Sequence, residues 1–326
     1  MTPSLVSSTL RSVVLGWACA LGAAAALAQP AAAPPCALPA PPSMADLQAA
    51  SKRPADRGFL WRIEKDGRSS WLYGTMHVGR PDWYFQGPRL LGALGDSDTL
   101  ALELDMADPA SLKAFTDASD AGVLARMLTP ERQRRLDRQV AAACLPEGSL
   151  ARLRPTLQVM ALAGLAVRND GLYEQYGSER YLTMRARTGQ QPVVALETAR
   201  DQLEALLGDD EAEEIAELDE ALDQLESGSA RDLTLRLANA WARSDWTELA
   251  SYRAWCDCVK TPADERALRR LLDDRNPGLA DGIAALHARG QRVFAAVGAL
   301  HMAGTVGLPA LMAARGFVVT PVFPAP

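Results

Sequence analysis

Trp71-Leu-Tyr-Gly74-Thr-Met-His77-Val-Gly79 is the stretch on which the reading of this chain turns. An apolar run of strand type meets a glycine, a histidine follows three residues later, and a second glycine opens the next loop. The same frame returns near the other end of the chain as Ala296-Val-Gly298-Ala-Leu-His301, with Gly304 just beyond. The chain has only 3 histidines, and two of them stand in this repeated Gly-x-x-His setting. Imidazole is the commonest side-chain metal ligand and the usual base near neutral pH, and ligand sites gather at the carboxyl ends of strands in α/β sheets. A paired-histidine site is therefore expected, where glycine loops bring backbone close to a ligand. Either motif alone would fit a structural, hydrogen-bonded histidine. The third, His287, sits near a helix end, where interaction with terminal carbonyls is the expected role.

Working outward, short apolar runs bounded by Gly, Pro, Asp or Ser occur at Phe59–Ile63, Ser70–Tyr73, Thr99–Leu104, Pro192–Leu196, Arg292–Val297 and Phe317–Val322. Each reads as a strand. Between them, Asp108 to Arg187 and Thr198 to Arg289 carry apolar residues at helical spacing. Strands at both ends with helices between predict an α/β (mixed α+β) fold: one central sheet and a large helical middle. Thr129-Pro130-Glu131, Asp245, Thr261-Pro262 and Asn276-Pro277 read as helix starts or, for the last, a turn. The acidic stretch Asp209–Glu226 and the basic run Arg132, Arg134, Arg135, Arg138 are each expected to be solvated helix faces without chemistry.

The first 28 residues hold one charge, Arg11, an apolar run, and Ala-Leu-Ala before Gln29. They read as a secretory signal peptide cleaved after Ala28, an uncleaved membrane anchor being the alternative. Residues 29–43 form a Pro/Ala-rich tether, and one domain is expected over 44–326. The expected location is periplasmic or secreted, with no stable membrane span after cleavage. The net charge of −6, more negative once Arg11 is lost, disfavours nucleic acid as a partner. Outside the signal stand Cys36, Cys144, Cys256 and Cys258, an even set suited to disulfides in an oxidising compartment. A bridge from Cys256 or Cys258 to Cys144 is expected. A metal site or an exchange site at Cys256-Asp257-Cys258 is the alternative, although its spacing is shorter than either usually shows.

Two acids stand out because a carboxylate in or at the end of a buried strand needs a partner. Glu103 lies in Leu100-Ala-Leu-Glu-Leu-Asp105, and Glu197 ends Val193-Val-Ala-Leu-Glu197. Site chemistry competes with a salt bridge to an arginine for Glu103 and with helix capping for Glu197. No Gly-x-Ser-x-Gly, phosphate loop, dinucleotide fingerprint or His-Glu-x-x-His occurs, which argues against the commoner hydrolase and nucleotide-binding classes.

Taken together, Trp71–Gly79, Leu100–Asp105, Val194–Thr198 with Gln202-Leu203, Arg275-Asn276, and Phe294 to His301 with Gly304, Leu308, Leu311 and Gly316-Phe317 resemble the TraB/GumN (TIKI-like) family. The resemblance implies an erythromycin-esterase-like or ChaN-like architecture and a metal-dependent hydrolase acting on peptides. It implies a divalent ion (Mn, Co, Fe or Zn) held by His77, His301 and Glu103, with Glu103, Glu197, Arg275 and Asn276 as catalytic positions. A peptide or protein is the implied substrate. The alternative is a non-catalytic periplasmic protein that binds a peptide or haem, with a histidine as axial ligand.

Overall fold

The structure is a computed structural model that describes residues 42–117, 121–208 and 210–323. The expected signal peptide, Cys36 and most of the expected tether lie outside these residues. All six expected strands form: β1 (Phe59–Lys65), β2 (Arg68–Thr75), β3 (Thr99–Leu102), β4 (Val193–Ala195), β5 (Val293–Gly298) and β6 (Val318–Phe323). They make one mixed sheet in the order β4-β3-β5-β2-β1-β6. β4, β3, β5 and β2 run parallel, while β1 is antiparallel to both β2 and β6. The central parallel strands β3 and β5 read as unbroken apolar runs because both of their faces are buried. Leu72, Tyr73, Leu100, Ala101 and Val293 to Val297 are all buried.

Expected helix starts are present and their caps explain them. Thr129 accepts from the Arg132 amide ahead of the helix Pro130–Ala142. Asp245 accepts from Glu248 N, and Thr261 forms a capping box with Asp264. Asn276-Pro277 opens the helix Asn276–Ala288. His287 is buried and structural, but its partners are on strands rather than a helix end: Ser70 Oγ at 2.9 Å from Nδ1 and the Lys65 carbonyl at 3.0 Å from Nε2.

The helical middle touches the sheet through Trp241, in the helix Ser229–Ala242. Its indole Nε1 donates to the Gly74 carbonyl at 2.8 Å, and its own carbonyl accepts from Gly58 N at 3.0 Å. A second apolar cluster, with Met127, Leu136, Val140, Val159, Leu162, Leu218 and Leu222, lies wholly among the helices.

The basic and acidic helices keep much of the exposure expected of them, but they also pair with each other, which was not expected. Arg132 forks onto Asp219 at 2.7 Å, Arg135 reaches Asp219, Asp223 and Glu226, and Arg138 reaches Glu226. Each charged face is the other's partner. Periodicity identifies the polar side of a helix but not what covers it. Deeper still, Glu214 is buried and bonded by Arg154 and by Thr156 Oγ1 at 2.7 Å. The cysteine expectation is corrected too: Cys256 and Cys258 are bonded to each other. Cys144 is also disulfide-bonded, so to neither of them.

Candidate functional site

The four parallel strands point their carboxyl ends to one edge, and that edge carries the predicted residues. Thr75 is in register with Gly298, and Leu102 with both Ala296 and Ala195. His77 therefore follows β2, Glu103 follows β3, Glu197 follows β4 and His301 follows β5 on a common rim. Glu103 is just past its strand rather than inside it, because β3 ends at Leu102.

Arg275 joins these ends. It is placed by a π-helical turn, Arg269–Asp273, immediately before the helix Asn276–Ala288. Its Nη2 donates to Glu103 Oε2 at 2.6 Å and also to Glu197 Oε1, while Nε donates to Glu197 Oε2 at 3.1 Å. The guanidinium thus bridges two nearly buried carboxylates. Gln202 Nε2 joins the same pair, 3.3 Å from Glu103 and 3.1 Å from Glu197. The other oxygen of Glu103 accepts from Gly298 N at 2.7 Å. Capping falls to Thr198, whose Oγ1 accepts from Asp201 N, which leaves Glu197 free for Arg275.

His301 is buried, and its tautomer can be worked out. Asn276 Nδ2 donates to the Val306 carbonyl at 2.8 Å, so Asn276 Oδ1 is the acceptor facing His301 Nδ1 at 2.7 Å. The proton is then on Nδ1, and the Nε2 lone pair faces Arg275 Nη1 at 3.3 Å. Burial, ahead of every other cause, lowers the His301 pKa to about 4, with Arg275 opposing protonation as well. The ring is neutral at pH 7.

His77 is the opposite case, with 79% of its side chain accessible. Its Nδ1 lies 2.9 Å from Glu179 Oε1. The loop after β2 is stapled to the start of the helix Ser178–Thr188: Ser178 N donates to Met76 O, and Met76 N to Ser178 Oγ. The packing is close enough that a Cβ at Gly79 would fall 2.2 Å from the Tyr176 carbonyl. Gly79 thus admits a neighbouring backbone rather than a ligand, which corrects the expectation for that glycine. Glu179 is the main cause that raises the His77 pKa to about 9, with help from Glu103. Since the ring is open to solvent, the ion pair with Glu179 sets the sign.

Glu103 is pushed up by burial, yet His301, Arg275, His77 and the Gly298 N–H together bring it down to about 2. With His301 neutral, the permanent charge of Arg275 is the dependable contribution. Asp105 and Asp108 take no part in this cluster: Asp105 pairs with Arg187, and Asp108 accepts from Ser111 N.

The family profile of TraB/PrgY/gumN matches residues 59–321, from the first residue of β1 into β6. The chain belongs to the TraB/PrgY/gumN family. No curated protein and no solved structure matches it. In this TraB/PrgY/gumN chain the strand ends bring together His77, Glu103, Glu197, Arg275, His301 and Asn276. Residues missed by sequence reasoning are Glu179 and, as a direct partner of both glutamates, Gln202. Glu179 stands at a helix start about a hundred positions from His77, and nothing local marks it.

The implied metal can be tested against the donors. Glu103 is engaged by Arg275 and Gly298, and the His301 lone pair also faces Arg275. Among the described residues no group of three or more His, Cys, Asp or Glu is placed to hold a metal ion. A guanidinium lies where a cation shared by Glu103 and His301 would lie, so this arrangement does not fit one.

Proposed function

We propose that this cleft hydrolyses peptide bonds, with His77 as the group that meets the substrate. The observation that carries the reading is the accessible His77–Glu179 pair on a rim whose other charged groups, Glu103, Glu197 and Arg275, are largely withdrawn from solvent. Glu179 holds Nδ1, so the proton available for transfer is on Nε2, which has no partner among the described residues. An imidazolium there would protonate a departing amine, and Glu103 behind it favours the charged ring. Peptides as the substrate class rest on the family resemblance.

A divalent ion of the Mn, Co, Fe or Zn kind enters this proposal only if Arg275 first leaves Glu103 and His301. Export to the periplasm or beyond belongs to the same reading, supported by the bonded Cys144 and the bonded Cys256–Cys258. No helix among the described residues is long and apolar enough to cross a membrane.

The test is a peptide-library cleavage screen on wild type and His77→Ala, with elemental analysis of both. Cleavage is expected to fall about 10²- to 10⁴-fold with circular dichroism unchanged. Full cleavage by His77→Ala would overturn the assignment. Binding of a peptide without turnover would make the cleft a capture site instead. Retention of one ion per wild-type chain would show that Arg275 yields its place.

A further inference from the structure

Cys256, Asp257 and Cys258 close a disulfide across a single intervening residue. Such a bridge removes very little freedom from an unfolded chain, because the stabilisation grows with the length of the loop it closes. As a staple it is nearly redundant. It also holds backbone in an uncommon state: Asp257, exposed to solvent, has φ 52. Both cysteines line a concavity with Gln224, Ser227, Ser229 and Leu233, while their inner side packs in a small apolar cluster with Tyr252, Leu268 and Leu272.

The two sulfurs differ. Cys256 is buried and accepts from Cys258 N–H at 3.2 Å. Cys258 is more open, and the Tyr252 hydroxyl donates to its sulfur at 3.5 Å. Each sulfur therefore has a donor able to stabilise it as a thiolate, and the reachable one is Cys258.

We propose that Cys256–Cys258 is a thiol–disulfide exchange site that oxidises dithiols. A substrate thiolate attacks Cys258 Sγ; the Cys256–Cys258 bond breaks, and Cys256 leaves as a thiolate against the Cys258 N–H. The substrate's second thiolate then attacks its own sulfur in the mixed disulfide and releases Cys258, with the Tyr252 hydroxyl beside it. The substrate loses two electrons and becomes a disulfide, while the protein gains them as a dithiol. The two substrate protons end on Cys256 and Cys258 or in solvent. A second disulfide compound, such as oxidised glutathione, restores the bridge. The site is independent of the histidine cleft.

The experiment uses the full chain in glutathione buffers of graded poise, with acid quench, alkylation and peptide mass mapping. Cys256–Cys258 is expected to open in buffers where the Cys144 disulfide stays closed; opening of both together, or only in denaturant, overturns the proposal. In Cys256→Ser, glutathione is expected on Cys258 at least about tenfold faster than on Cys256 in Cys258→Ser; the reverse order overturns the assignment of the attacked sulfur. With dithiothreitol as substrate and oxidised glutathione as oxidant, wild type is expected to exceed the double serine variant about tenfold. Equal rates would leave the bridge a structural one and defeat the proposal. Asp257→Val, a β-branched residue that resists positive φ, is expected to open in less reducing buffer; an unchanged midpoint counts against backbone strain as the driving force.

Discussion

Arg275 and Arg135 each bridge more than one carboxylate, and they lie in different surroundings. Arg275 joins Glu103 and Glu197 at the strand ends, where the three side chains are 10%, 14% and 9% accessible. Arg135 joins Asp219, Asp223 and Glu226 across two helices, and although it is itself 15% accessible, those acids keep 40%, 68% and 31%. The fork is the same, but water reaches the carboxylates only in the second case. An exposed carboxylate that loses its arginine is rehydrated, whereas a buried one is left with an uncompensated charge.

The comparison breaks most visibly at Arg275. Arg275→Met should destabilise the protein by about 3–5 kcal/mol, the range for breaking a buried ion pair, read as a shift in urea midpoint. Arg275→Lys should recover only part, since an ammonium cannot reproduce the fork. Arg275→Met with a loss below about 1 kcal/mol would mean that water enters the strand-end cluster after all.

A second test is pH. Glu103, lowered to about 2 from 4.5, contributes stability above its ordinary value that disappears as pH falls through about 2. His301, lowered to about 4 from 6.5, favours the unfolded chain below 6.5, because only that chain then takes up the proton. Both act in the same direction, so stability should decline steadily from pH 6.5 towards 2 in denaturant titrations. In Arg275→Met the Glu103 share of that decline should shrink. A flat profile over this window would remove the burial argument for both residues.

The smallest effect is expected on the helices. Arg135→Ala should lower stability by about 1 kcal/mol, and the difference from wild type should narrow as salt is raised. A loss as large as that of Arg275→Met, insensitive to salt, would erase the distinction between the two arginine clusters.

The six strands were legible because each is a short apolar run with turn residues on both sides, and because β3 and β5 are buried on both faces. His77, His301, Glu103 and Glu197 were legible for a related reason: each stands at or just past the end of such a run. For Glu103 the salt-bridge reading holds, with Arg275 as the partner. Glu197 turned out otherwise than capping would have it, as Thr198 takes that role. Pairing was not legible. The basic run at 132–138 and the acids at 219–226 read as two solvent faces, because a helical pattern carries no information about which other helix lies over it. Glu179 stayed hidden for the same reason, reaching His77 only once the chain has folded the helix Ser178–Thr188 against the loop after β2. In Cys256-Asp257-Cys258 the spacing pointed away from a bond between neighbours, and the positive φ of Asp257 is what permits one.

The contact between Trp241 and β2, the strand that His77 follows, has a consequence for how this sequence can drift. A Cβ at Gly58 would lie 2.5 Å from the indole nitrogen of Trp241 and 2.9 Å from the Gly74 carbonyl that the indole bonds. Any side chain at 58 therefore evicts the indole, and a smaller ring at 241 leaves a hole beside position 58 and a strand carbonyl without its donor. Across descendants of this chain, positions 58 and 241 should change in one step or not at all, while the outer faces of the same helices are free to vary.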